Sequence, residues 1–455
     1  MNDRTERQPW EGLRDLAAAD DMTGLEAFIE GLSPSEAVRA IFRLDSEDRQ
    51  KVLTTLSPEE AADLIDDIPD EHAADIIEEL PTENAAAILN EMDSDDQADV
   101  LGEMKADDAE AILAEMAPEE AKDARLLMQY DDHEAGGLMM TEVFAFDEDA
   151  TVEEVLEKLS SAAETGEQHQ IREIYVVSRW KRLIGVVRLN EIALSRRSVN
   201  LADLVTPSSF VTTATKLDEL DQIFSHSDGT TVPVINPHAR VIGVVTRDAV
   251  TEALNERAEE EYRKLQGIVG GDEIRTMPLL TRSRRRLSWL SINIILNIIA
   301  ASVIAFYEST LSAVIALAVF LPIISDMSGC TGNQAVAVSM RELSLGLVKP
   351  YEVLRVWLKE VSVGVINGLT LGCLLGVAAW FWKENIYLSL VVASALALNS
   401  LIAVSIGGCV PLLLKRIGVD PAVASGPILT TVTDMCGFFL VLSIAASMLP
   451  LLTSG

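Results

Sequence analysis

The sequence predicts a multi-domain membrane protein: an all-α N-terminal helical-repeat domain, then a duplicated α/β module, then a five-helix transmembrane bundle. Three observations carry this prediction. Residues 33–128 form eight consecutive twelve-residue units, two copies of a strand, turn, strand, helix pattern follow, and five long apolar runs fill the remainder. Charge divides the same way, with a net −38 in the first 275 residues and +3 from Thr276 onward. So negative a field argues against nucleic acid and for multivalent cations, although a soluble face adapted to high salt carries the same signature.

The twelve-residue units, such as SPEEAADLIDDI and PTENAAAILNEM, each close on an apolar residue: Leu44, Leu56, Ile68, Leu80, Met92, Met104, Met116 and Met128. Each opens on Ser, Pro, Asp or a similar residue followed by acids, the pattern of a short helix with a cap and acids at its positive end. Helices this short bury their apolar stripes only by stacking on neighbours, which predicts a right-angled or superhelical bundle over 33–130. Residues 1–32 read as an N-terminal segment. Its first ten, MNDRTERQPW, hold no apolar run of the kind a secretory signal needs, so the soluble part is expected in the cytoplasm.

The duplication sets Tyr175–Ile192 over Thr231–Val250 with Gly185 above Gly243. It resembles a tandem pair of CBS modules over 135–254. In many such pairs a Thr and an Asp three residues on hold an adenine nucleotide; here the second copy has Thr246 and Ala249 and the first Arg188 and Glu191, so ATP binding is doubtful. A polar helix and a breaker-rich linker over 255–286 lead to the bundle of 287–455. Its spans are expected near 287–307, 312–340, 358–382, 386–414 and 422–449. Basic clusters at 282–286, at Arg341, Lys349, Arg355 and Lys359, and at Lys415 and Arg416 fall on one side, which the positive-inside rule makes cytoplasmic. The C-terminus is then extracytoplasmic. Asn293, Asn297, Asn367 and Asn399 read as glue between helices.

One residue inside the apolar runs points to chemistry. Asp434 lies within Gly426–Pro450, where a carboxylate costs roughly 2.5–3.5 kcal/mol and is tolerated mainly beside a polar cavity, a partner or an ion. A structural Asp bonded to Thr430, Thr431 or Thr433 is the alternative. The four cysteines have no CxxC spacing and the five histidines no ligand spacing, so neither a zinc site nor a disulfide framework is indicated.

Acidic repeats ending in QYDDHEAGGLMMTE, the CBS-like pair, the connecting helix, and spans carrying LPIISDMSGCTGNQ (Leu321–Gln334) and GPILTTVTD (Gly426–Asp434) occur in that order. This arrangement resembles the MgtE family of magnesium channels. The resemblance implies a homodimer with its pore on the dimer axis, lined by the second and fifth spans, in which Asp434 holds hydrated Mg²⁺. The ion's chemistry agrees: Mg²⁺ sheds water reluctantly, so few carboxylates and room for a hydration shell suit it. Carbonyls near Thr430 and Thr431 would serve as outer acceptors, Asn333 and Gln334 would add side-chain oxygens, and Pro322 with Ser328–Gly332 would break the second helix. Two departures bear on selectivity: Cys330 stands where the family has Asn, and Asp326 where a small neutral residue is usual. In the pair, the family's acidic turn appears as SRWKR and NPHAR.

The expected function is a divalent-cation channel that imports Mg²⁺ into the cytosol across a plasma (inner) membrane and is gated by cytosolic Mg²⁺ on its acidic domains. Candidate sensor ligands are Asp95, Asp96, Glu256, Glu259 and Glu260. No nucleophile, P-loop or metal-ligand spacing suggests an enzyme. The alternatives are a cation-coupled Mg²⁺ exchanger and a non-conducting membrane Mg²⁺ sensor.

Overall fold

The computed structural model describes residues 8–164, 173–227, 229–268, 271, 273, 275 and 277–453. The chain divides into two compact units, Met1–Ala258 with Ile274–Thr276, and Glu259–Glu273 with Met277–Gly455.

In the first unit each twelve-residue repeat becomes one helix: Pro34–Ile41, Ser46–Thr55, Pro58–Asp66, Asp70–Glu78, Thr82–Leu89, Ser94–Glu103, Ala106–Glu115 and Pro118–Leu127. The starts are local chemistry. Ser33 and Glu36 form a reciprocal capping box, Asp45 accepts from the Asp48 amide at 2.9 Å, and Pro34, Pro58 and Pro118 occupy first-turn positions that need no amide donor. Helices pack on their next-but-one neighbours, Pro58–Asp66 on Thr82–Leu89 and that on Ala106–Glu115, with Asp70–Glu78, Ser94–Glu103 and Pro118–Leu127 as the parallel series. The repeat-closing residues Leu44 to Met116 are buried in the shared core; Met128, at its end, is exposed. Helices Pro9–Ala18 and Met22–Glu30 add Leu13, Ala17 and Leu25 to the same core, so much of 1–32 is folded into it rather than merely preceding it.

The duplicated modules build two sheets. Strands are β1 (Met139–Met140), β2 (Ala145–Asp147), β3 (Glu173–Val177), β4 (Leu183–Arg188), β5 (Val211–Thr212), β6 (Thr231–Ile235) and β7 (Val241–Thr246). One sheet runs β2-β3-β4, the other β1-β7-β6-β5, and in each an antiparallel hairpin is flanked by a parallel strand. The hairpin turns match in detail. Ser178 donates to Arg182 at 2.8 Å and Asn236 to Arg240 at 3.0 Å, with Lys181 and Ala239 both at φ 58°. These are the same turn in duplicate, each with a non-glycine residue in a conformation that glycine favours. The aligned glycines also share a cause: a Cβ on Gly185 would meet the Thr206 carbonyl at 2.2 Å, and one on Gly243 the Met140 carbonyl at 2.8 Å.

From β7 the chain enters the helix Arg247–Leu265. The second unit contains long helices Leu279–Phe306, Leu317–Ser344, Val353–Lys383, Ile386–Arg416 and Pro421–Ser447, with short ones at Glu308–Ala313 and Leu449–Thr453. Four helices among the described residues are long and apolar enough to cross a membrane; Leu317–Ser344 is 28 residues long but more polar. Val353–Lys383 and Ile386–Arg416 lie in backbone contact, since Cβ atoms on Gly368 and Gly372 would fall 2.7 and 2.6 Å from the carbonyls of Ala397 and Ala393. The expected break in the second span does not occur. Leu317–Ser344 is continuous through Pro322 and through Ser328–Gly332. Pro322 is the sixth residue of the helix and leaves the Ala318 carbonyl without its regular amide donor, yet the helix runs on past it. The small residues are packing surface: Ser328, Thr331 and Gly332 are buried, and Gly332 faces Leu429 and the Ala403 carbonyl.

Candidate functional site

Asp434 sits in the Pro421–Ser447 helix, half-buried, and accepts a hydrogen bond from the Ser325 hydroxyl of Leu317–Ser344. Two of the threonine hydroxyls bond elsewhere, for a local reason. Thr430 donates to the Gly426 carbonyl and Thr433 to the Thr430 carbonyl, each at 3.0 Å, as helical threonines commonly bond back one turn. Thr430 is exposed one turn before Asp434, and Thr431 is half-buried beside it. On the facing helix Asp326 follows Ser325 directly and is exposed, as are Cys330, Asn333 and Gln334. Helical spacing puts Pro322, Asp326, Cys330 and Asn333 on one stripe. Among the described residues neither Asp326 nor Asp434 has a Lys or Arg partner. The structure thus joins Leu317–Ser344 and Pro421–Ser447 at Asp434 and leaves the exposed Asp326 and Asn333 beside it. Of the asparagines read as glue, Asn293 bonds its own helix through Trp289, whereas Asn399 donates across to the Thr433 carbonyl at 3.0 Å.

A second constellation lies in the first unit. Ser94–Glu103 projects Asp95, Asp96 and Asp99 among Asp66, Asp70, Asp93, Glu142, Glu252 and Glu256. Ser94 is wholly buried and ties the helix to the chain after β1, accepting from the Thr141 amide at 2.8 Å and donating to Glu142 at 2.9 Å. Burial first, and neighbouring carboxylates second, push these acids up: Asp70 to about 7, Asp95 to about 8, Asp99 to about 9 and Asp96 to about 10. Asp66 is likewise raised, by burial first, and Asp96 owes part of its rise to the neighbouring Asp66. Among the described residues Asp95 Oδ1 is buried without a hydrogen-bond partner. Among the described residues no three acidic, His or Cys side chains form a ready-made ligand set.

Sequence reasoning singled out Asp95, Asp96 and Glu256 and missed Asp66, Asp70, Asp99, Glu142 and Glu252. The i, i+3 and i+4 spacing of 95, 96 and 99 was an available signal; the other acids join by tertiary contact alone. Glu259 and Glu260 instead pair with Arg263 at 4.0 Å and Lys264 at 2.8 Å, one turn along their own helix.

The raised acids fix a pH dependence. Their folded pKa values exceed the ordinary unfolded value near 4, so between the two the folded unit binds more protons than the unfolded chain, and stability falls as pH rises. For residues 1–265 in chelator, melting should come roughly 5 °C or more lower at pH 8 than at pH 5.5. Millimolar Mg²⁺ should narrow that gap by replacing protons. Calorimetric scans test this, and equal melting at both pH values would contradict the clustering.

At the nucleotide-type positions, the Thr246 hydroxyl accepts from the Ala249 amide at 3.0 Å and so caps the Arg247–Leu265 helix, while Arg188 starts the corresponding helix of the first module without a side-chain cap.

Five long helices, four of them apolar enough to cross a membrane among the described residues, with the half-buried Asp434 in the last, joined to an acidic helical repeat and a paired α/β module, point to a multi-span membrane protein. Sequence profiles agree: one described as "divalent cation transporter" matches residues 321–444, one for the MgtE intracellular N domain matches 32–133, and a CBS domain profile matches 135–196. The "magnesium transporter MgtE" of Thermus thermophilus is 35% identical over 336 residues, 72% of each chain. A solved "soluble part of a magnesium transporter" is 26% identical at TM-score 0.50, covering 55% of this chain and 98% of that one. The cytosolic domain of the Mg²⁺ channel MgtE, solved in complex with ATP, is 30% identical at TM-score 0.49, covering 53% and 99%. The chain belongs to the MgtE family.

Proposed function

We propose that this protein is a homodimeric Mg²⁺ channel that admits Mg²⁺ into the cytosol down its electrochemical gradient, with its soluble domains sensing cytosolic Mg²⁺. The observation that carries this reading is Asp434 at the junction of the second and fifth spans, beside the exposed Asp326 and Asn333 and without a cationic partner among the described residues. Such a carboxylate in an apolar bundle is stabilised by a cation or water. Two copies about a twofold axis supply two charges and space for a hydrated ion, which suits Mg²⁺ better than a tight cage would. Divalent flux into liposomes at several Mg²⁺ concentrations on the sensor side tests the proposal; flux that follows an imposed Na⁺ gradient would make it an exchanger.

In the gating half of this reading, Mg²⁺ displaces the protons of Asp95, Asp96, Asp99 and their neighbours and draws the repeat, the paired modules and the connecting helix together. Glu252 and Glu256 belong to Arg247–Leu265, whose Lys264 pairs at 3.2 Å with Asp420, the residue that caps the helix carrying Asp434. ATP has no part in this reading.

Asp326 is proposed as a second carboxylate of the pathway. Asp326→Ala should shift the Mg²⁺ against Ca²⁺ preference roughly two- to tenfold while leaving dimer assembly intact. Identical selectivity and conductance would make Asp326 structural. The basic clusters favour an N-terminus inside and a C-terminus outside. A single cysteine at position 455 of a cysteine-free variant should label from outside intact cells; labelling only after permeabilisation would contradict the orientation.

A further inference from the structure

We infer that Asn399 is a positioning residue that sets the azimuth of Asp434, and that Gly437 exists to admit it. The inference rests on the reading of Asp434 as the pathway carboxylate.

Asn399 is wholly buried on the Ile386–Arg416 helix, and an amide taken that far from water is retained where it bonds. Its Nδ2 donates to the Thr433 carbonyl at 3.0 Å. That carbonyl belongs to the peptide unit whose nitrogen is Asp434's own, and its regular helical donor is the amide of residue 437, one turn on. A Cβ at Gly437 would lie 2.7 Å from Asn399 Nδ2, closer than real side chains approach, so only glycine leaves room for the amide to reach the carbonyl. Successive residues of the fifth span are therefore held from two directions. Thr433 is buried and tied to the fourth span; Asp434, about 100° further round the helix, is tied to Ser325 of the second. A helix with a single lateral bond can roll about its axis. Two bonds at adjacent residues fix the roll, and with it the direction in which the carboxylate meets an ion.

Full-length protein in liposomes tests this through the Mg²⁺ concentration for half-maximal flux and the Mg²⁺ to Ca²⁺ preference, which a purely structural residue would not move in correctly inserted protein. Asn399→Ala should raise the half-saturating concentration about five- to tenfold and narrow the preference, with insertion and oligomeric state unchanged. Gly437→Ala, with Asn399 intact, should do the same by displacing the amide. The double variant should be no worse than the more impaired single one, because both remove one contact. Normal half-saturation in either inserted variant, or independent effects in the double, would overturn the inference; if Asn399→Ala does not reach the membrane, Gly437→Ala decides alone. Normal flux in Asp434→Asn would instead remove the underlying reading, whereas an inactive Asp434→Asn with an unaffected Asn399→Ala would remove only the positioning role.

Discussion

Asp434→Asn is expected to reduce Mg²⁺ flux about a hundredfold or more in protein that still inserts and assembles. The substitution preserves shape and keeps an acceptor for the Ser325 hydroxyl, so the packing between Leu317–Ser344 and Pro421–Ser447 should survive. What it removes is charge, one per subunit. A divalent ion about 5 Å from a carboxylate through an effective dielectric near 20 gains on the order of several kcal/mol from each, and no Lys or Arg among the described residues faces Asp434 to be released in exchange. Loss of that attraction raises the barrier to entry while leaving the route open sterically. Radiotracer or indicator flux into liposomes measures it, and near-normal flux in a well-inserted variant would refute the assignment of Asp434.

Deleting residues 1–130 should leave a conducting channel whose inhibition by cytosolic Mg²⁺ is weakened more than about tenfold. The deletion removes Asp66, Asp70, Asp95, Asp96 and Asp99 together, acids that burial and mutual repulsion raise. Divalent binding is strongest where several deprotonated oxygens converge and where the unbound state is costly, and both conditions leave with this segment. Glu252 and Glu256 remain on Arg247–Leu265, yet with their partners gone they are two exposed-side acids on one helix, a weak ligand for Mg²⁺. Flux against graded Mg²⁺ on the cytosolic face compares the truncated and full-length proteins. An unchanged inhibition curve would place the sensor elsewhere.

Much of this protein was legible in its sequence because the relevant signals are local. A twelve-residue period with caps specifies one helix per repeat, since capping and apolar spacing act within a few residues of each other. The duplication at Gly185 and Gly243 likewise reports a turn and a crossing chain in each copy. A carboxylate in an apolar run announces itself without any fold. The helix break expected at Ser328–Gly332 was misread for the converse reason. Small residues favour both unwinding and close packing, and only the neighbours at Leu429 and Ala403 decide between them.

By itself, then, the sequence determined the architecture and the presence of a carboxylate, Asp434, inside its last apolar run, because period, cap and hydropathy are properties of contiguous residues. Tertiary structure alone decided which acids form the buried cluster, that Glu259 and Glu260 answer to Arg263 and Lys264, and that Ser325 and Asn399 hold the fifth span on either side of Asp434. A helical period says which residues share a face; which face meets which depends on packing between segments from roughly 30 to more than 100 residues apart, and no local pattern encodes that choice.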